Sequence, residues 1–224
     1  IIIDNRLESE DTATIRRENP SFYSGDFSSP EQFIPPFGVV SDTGRPIPWE
    51  ACVCMNDNWG FVALDKNYKP AKVIIRKIVE CCAKGGNVIL NVGPMANGDF
   101  SPESKKLLND IGVWFKGHGK SVYHCGVSEF DKPEWGWFTQ NENKLYAHIF
   151  EQPMGNMAIS IPKKIKSIRL LPEMVEILPQ RKGMNQGFWE GHEMVNLCEY
   201  SKPYHFYAPL PNEIDTVLEL EIEE

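Results

Sequence analysis

What the 224-residue sequence lacks narrows the field first. It has no surplus of positive charge: 31 acidic residues face 23 basic ones, for a formal net charge of −8. Without phosphate-neutralising residues gathered in a patch, a nucleic-acid partner is not expected. It has no apolar run of the roughly 18 residues that a spanning helix needs, so no membrane partner is expected either. None of the cysteines at 52, 54, 81, 82, 125 and 198 forms a CxxC pair. His118, His124, His148, His192 and His205 are scattered, with no cysteines or carboxylates at metal spacing. The cysteines therefore read as buried free thiols, and neither a metal nor another cofactor is expected. No internal repeat or low-complexity segment is present.

What is there is the composition of a globular chain, with 42% hydrophobic and 24% charged residues. A chain this long buries roughly 70% of its unfolded surface and has room for two domains. It opens on Ile1-Ile2-Ile3, a buried-strand signal with no methionine before it. The sequence is accordingly expected to be a portion of a longer protein.

Residues 7–48 are proline-rich and irregular. WEACVCM (49–55) predicts a strand. Pro70 to Lys84 predicts a helix, with Val73, Ile74, Ile78 and Cys81 on one face and Gly85-Gly86 after its end. NVILNV (87–92) predicts a short buried strand, and Ser101-Pro102-Glu103 opens a second helix carrying Leu107, Leu108, Ile111, Trp114 and Phe115. Strand, helix, strand, helix is the grammar of a parallel α/β fold. After about Cys125 the pattern changes to alternating strands: a hairpin over WGWFTQNENKLYAHIF, then MAISIP, SIRLL, VEILP and VLELEIE. These predict an antiparallel β-sandwich.

In parallel α/β folds the residues beyond the C-terminal strand ends carry function. Here those are Asp4-Asn5-Arg6, Asn56-Asp57-Asn58-Trp59 and Asn91-Val92-Gly93-Pro94. The stretch GDFSSPEQ (25–32) returns to the same rim and poses a question about Glu31. Ser28-x-x-Glu31 has capping-box spacing, so Glu31 could simply start a helix. Local rules favour that reading, with a catalytic acid as the other. A rim offering an arginine, carboxylic acids and a tryptophan suits a sugar: guanidinium donates to hydroxyls, and an indole covers the C–H side of a pyranose.

WEACVCMNDNWGF (49–61), AKGGNVILNVGPMANGDF (83–100) and GVWFKGHGKSVYHC (112–125) resemble the successive signatures of the α-L-fucosidases of glycoside hydrolase family 29. IIIDNR and GDFSSPEQFIPP upstream are similar as well. The resemblance implies an α/β partial (β/α)8-type barrel over residues 1–125, the C-terminal half of a catalytic barrel. An all-β antiparallel sandwich domain would follow over 126–224. It implies removal of terminal α-L-fucose from glycoconjugates by a retaining double displacement. Arg6 would bond the fucose hydroxyls or ring oxygen and Trp59 would pack on the apolar side of the sugar. Glu31 would be the general acid/base, with Glu50 as the second candidate. The family's aspartate nucleophile belongs to a strand upstream of the D-N-R segment. The chain alone is therefore expected to be inactive, and its partners are a fucosylated glycan or glycoside and the upstream half of the barrel. A non-catalytic carbohydrate-binding or scaffolding fragment is the alternative. Localisation by resemblance is periplasmic, secreted or lysosomal, with the cytoplasm left open. One departure is that Asn58 stands where the family pattern has serine.

Overall fold

A computed structural model of the chain describes residues 1–2, 4, 26–40, 44–151, 158–177, 193–196 and 212–223. The chain divides into two units, Ile1–Trp114 and Phe115–Glu224.

The first unit is parallel. Strand β1 (Trp49–Cys54) pairs in register with β2 (Gly86–Asn91), and α1 (Ala71–Ala83) is the crossover between them. Two more segments extend the array: Ser28 bridges Trp49 and Glu31 bridges Cys52, while Asp4 bridges Phe27, all in parallel. Helix α1 starts behind Pro70, whose extended backbone and absent N–H suit a helix start. It ends at Lys84 and Gly85, with Gly85 at φ 76° donating its N–H to the Cys82 carbonyl. The helix buries Ile74, Ile75, Val79, Cys81, Cys82 and Ala83. The four residues of the predicted face, Val73, Ile74, Ile78 and Cys81, together line a cavity of about 320 Å³ against the sheet. Only Ile74 and Cys81 of them are fully buried, and burial extends to Ile75, Val79 and Cys82 beside that face. The unit's small core joins Val39, Ile47, Trp49, Ala51 and Cys81. Gly86 is required there, because a Cβ on it would stand 2.2 Å from the Trp49 ring.

Helix α2 (Pro102–His118) begins as predicted: the Ser101 hydroxyl accepts the Ser104 N–H at 3.1 Å, with Pro102 at the first helical position. Its last four residues belong to the second unit.

That unit is antiparallel. Strands β3 (Gly126–Val127), β4 (Gly136–Asn141), β5 (Lys144–Ile149), β7 (Ile165–Leu170), β8 (Val175–Glu176) and β10 (Thr216–Ile222) form one sheet in the order β3-β4-β5-β10-β7-β8. Strands β6 (Ala158–Ile161) and β9 (Glu193–Asn196) form a second. Ile159 and Ile161 of β6 share a core with Phe138, Leu145, Ala147, Ile149, Ile168, Leu218 and Leu220 of the larger sheet. The sheets fit the predicted β-sandwich. The predicted hairpin is β4–β5, turning at Glu142 and Asn143. On the other face of the larger sheet, buried His148 bonds Asp215 at 2.7 Å and Thr139 at 3.0 Å, and Thr139 donates to the Ser121 carbonyl at 2.6 Å. The network partners the buried His148 ring and Thr139 hydroxyl, while Asp215 Oδ1 is buried with no hydrogen-bond partner among the described residues.

Among the described residues no helix is long and apolar enough to cross a membrane. Cys52, Cys54, Cys81, Cys82 and Cys125 are free thiols. Burial pushes Cys81 up to about 12 and Cys125 up to about 11, so neither is a nucleophile near neutral pH. Cys198 lies outside the described residues.

Candidate active site

Strand alternation sorts the first unit into two faces. Trp49, Ala51 and Val53 of β1, with Val88 and Leu90 of β2, meet the core and cavity against α1. Glu50, Cys52 and Cys54, with Asn87, Ile89 and Asn91, occupy the opposite face in matched rows. The bridges at Ser28 and Glu31 continue those rows, so Ser29 lies in the row of Glu50 and Glu31 in the row of Cys52. Glu31 is exposed and Glu50 half-buried. On neighbouring segments and two residues apart in row, their Cα atoms stand about 8 Å apart by strand spacing and rise.

The helix-start reading of Glu31 is therefore corrected. Ser28 N–H donates to Pro48 O at 2.9 Å and Glu50 N–H to Ser28 O at 3.0 Å. Cys52 N–H donates to Pro30 O and Gln32 N–H to Cys52 O, both at 2.9 Å. The segment runs beside β1, joined to it by isolated parallel bridges, and it offers no helix terminus to cap.

Beyond Glu31 the chain turns at Gln32, which has φ 60°. The Gln32 side chain brackets Cys54: its Nε2 donates to Sγ at 3.1 Å, and the Cys54 N–H donates to its Oε1 at 3.3 Å. Asn91, at the end of β2, reaches the same thiol at 3.6 Å and donates to the Trp59 carbonyl at 2.7 Å. Gly93 completes this junction. A Cβ on it would lie 2.5 Å from the backbone of Gly60 and Phe61, so only glycine lets the two loops touch. The junction leaves the Trp59 side chain 39% exposed.

The loop carrying Trp59 is tied across its base as well. Lys69 N–H donates to Met55 O at 2.8 Å, and Lys69 Nζ to Asn56 O at 2.7 Å. Asp65 accepts from Asn58 Nδ2 at 2.7 Å, Asn67 N–H at 2.9 Å and Asp57 N–H at 3.1 Å. The Asn58 amide first, then the Asn67 N–H, holds the Asp65 carboxyl below its ordinary range.

Of the sequence-predicted residues, Glu31 and Glu50 share the strand face away from α1, and Trp59 sits on the loop leaving β1. Arg6 lies outside the described residues. Among the described residues no cluster of histidine, cysteine or carboxylate is arranged to hold a metal. Trp135 packs in the sandwich core, and Trp137 is half-buried with Lys132 Nζ 4.9 Å from its ring centre. Trp189 lies outside the described residues. Sequence reading missed Gln32 and Asp65. The Asp65-Lys66-Asn67 spacing, suited to an Asx turn, was the available signal for the second.

The sequence profile of the α-L-fucosidase family matches residues 1–120. The plasma α-L-fucosidase of Pongo abelii is 29% identical over 130 residues, 54% of this chain and 28% of that protein. In the solved structures, α-L-fucosidase isoenzyme 1 from Paenibacillus thiaminolyticus is 40% identical with a TM-score of 0.86, and the match covers all of this chain and 50% of that one. A family 29 α-L-fucosidase from Bacteroides thetaiotaomicron, solved as a trapped covalent intermediate, is 27% identical with a TM-score of 0.69 over 90% of this chain and 44% of its own. The chain thus spans half or less of the length of these relatives. With more than half of its residues matched by the profile, the chain belongs to the α-L-fucosidase family.

Proposed function

We propose that residues 1–125 supply the C-terminal half of a (β/α)8-type catalytic barrel, followed by a sandwich domain over 126–224. The complete protein would hydrolyse terminal α-L-fucosides with retention. Glu31 is its acid/base: it protonates the leaving oxygen while an upstream carboxylate attacks the anomeric carbon, then takes a proton from the water that releases fucose. Trp59 covers the apolar side of the sugar, and Arg6 bonds its hydroxyls. Glu50 is the second candidate for the acid/base.

The observation that supports this reading is the address of Glu31. It is an exposed carboxylate on the strand face away from α1, one residue before Gln32, whose side chain bonds Cys54 at the end of β1, the strand that the Trp59 loop leaves. Glu50 is half-buried two residues lower in row, which places it farther from a ligand at the rim.

The test is Glu31→Gln in the complete protein, assayed on a nitrophenyl α-L-fucoside and on a fucosylated glycan. Turnover of the glycan falls about 10²–10⁴-fold. The nitrophenyl substrate, whose leaving group needs little protonation, loses far less in the glycosylation step. Equal, small losses on both substrates rule out Glu31. A wild-type protein that binds fucose without cleaving either substrate is instead a carbohydrate-binding protein.

A further inference from the structure

We propose that Asp65 is the positioning residue of the Trp59 loop: its carboxylate fixes the loop that carries the sugar-facing ring, and so sets affinity for fucose without touching it. The inference rests on the proposed role of Trp59.

The loop from Asn56 to Lys69 contains no helix or strand. Burial does not hold it either. Trp59, Phe61, Val62 and Leu64 are 39%, 40%, 41% and 92% exposed, and the residues between them are exposed too. None of the six apolar residues of this run is buried, so packing alone gives the loop little of its shape and hydrogen bonds supply the rest. Asp65 supplies three of them. Two reach Asn58 and Asp57, the residues immediately before Trp59, and the third reaches Asn67 on the returning limb. Asn67 Nδ2 then donates to Asp57 Oδ2 at 2.8 Å and closes the ring. The Asp65 N–H donates to the Val62 carbonyl at 3.0 Å, while every bond the Asp65 carboxylate makes is one that it accepts, and both of its oxygens are used. A carboxylate meets that demand and an amide does not, since one of its two ends is a donor. On the far side, Asn91 and Gly93 fix Trp59 to Phe61 against β2. The ring is therefore held between a fixed strand end and the Asp65 clasp.

The test is a double-mutant cycle in the complete protein. Asp65→Ala and Trp59→Ala are made singly and together, and KM and kcat for a nitrophenyl α-L-fucoside, inhibition by L-fucose and Tm are measured. Asp65→Ala should raise both KM and the L-fucose inhibition constant about 5–10-fold, the loss of one or two hydrogen bonds' worth of order, with kcat within about twofold. In the Trp59→Ala background the same change should move neither constant, because the ring it positions is gone. Should Asp65→Ala prevent folding, Asp65→Asn takes its place with a smaller shift in the same direction. Equal effects in both backgrounds, or a lower Tm with an unchanged inhibition constant, would overturn the inference. If Trp59→Ala alone leaves fucose inhibition unchanged, the role of Trp59 itself fails, and that outcome is read before any Asp65 variant is considered.

Discussion

The two units bury their residues in opposite ways. In the second, both inner sheet faces close on a shared core, and Leu145, Ile149, Ile168, Leu218 and Leu220 are at most 1% exposed. In the first, the parallel array has one face covered by α1 and the other largely open: Ile89, in the middle of β2, is 44% exposed beside polar neighbours. Parallel strands normally lie buried on both faces. A β-sandwich finishes its own core, whereas this array presents a row of carboxylates, amides and thiols. The sandwich closes on its own core, and the face of the array away from α1 is where the proposed site residues Glu31 and Glu50 stand.

That contrast can be broken by substitution. The largest effect belongs to the sandwich: Leu220→Ala should cost about 2–5 kcal/mol in chemical denaturation, because the cavity it leaves is sealed. Gly86→Ala should cost about 1–3 kcal/mol, since the added methyl meets the Trp49 ring. Glu80 comes next. Burial pushes its carboxyl up, but bonds from Lys77 at 2.7 Å and Lys84 at 2.5 Å outweigh it and hold the group below its ordinary value. A depressed carboxylate stabilises above its ordinary pKa and loses that contribution as pH falls. Glu80→Gln should therefore cost up to about 1 kcal/mol at pH 7, and wild type and variant should converge in acid. Ile89→Ala should cost least in this chain, within about 0.5 kcal/mol, because the site is open. A large Ile89 effect with a small Leu220 effect would reverse the contrast.

The same tripeptide shows how much of this was legible. Ser29-Pro30-Glu31 and Ser101-Pro102-Glu103 are the same three residues, and both stand in segments that read locally as helix starts. The second starts α2, capped by Ser101. The first runs alongside β1 instead, because β1 offers it main-chain partners that no local rule contains. The helix over 71–83 and the face it turns to the sheet were legible from spacing; the burial of Ile75, Val79 and Cys82 beside that face was not. The alternating strands after Cys125 were plain, since each carries its own inside-outside pattern. At the site, motif resemblance pointed to Glu31 and Trp59. Gln32, Asp65 and the Gly93–Gly60 contact depend on segments distant in sequence coming together, and spacing does not reveal that.

The role of Glu31 can be tested most directly by the configuration of one product. Glu31→Gln in the complete protein is given a nitrophenyl α-L-fucoside with azide, and the fucosyl azide is analysed by proton NMR. An acid/base variant still forms the glycosyl-enzyme, and azide then enters from the face that Glu31 served. The account predicts the α-L-fucosyl azide and restored turnover. The β anomer would mean that Glu31 is the nucleophile, and undiminished glycan turnover with no azide product would mean that it takes no part in the chemistry.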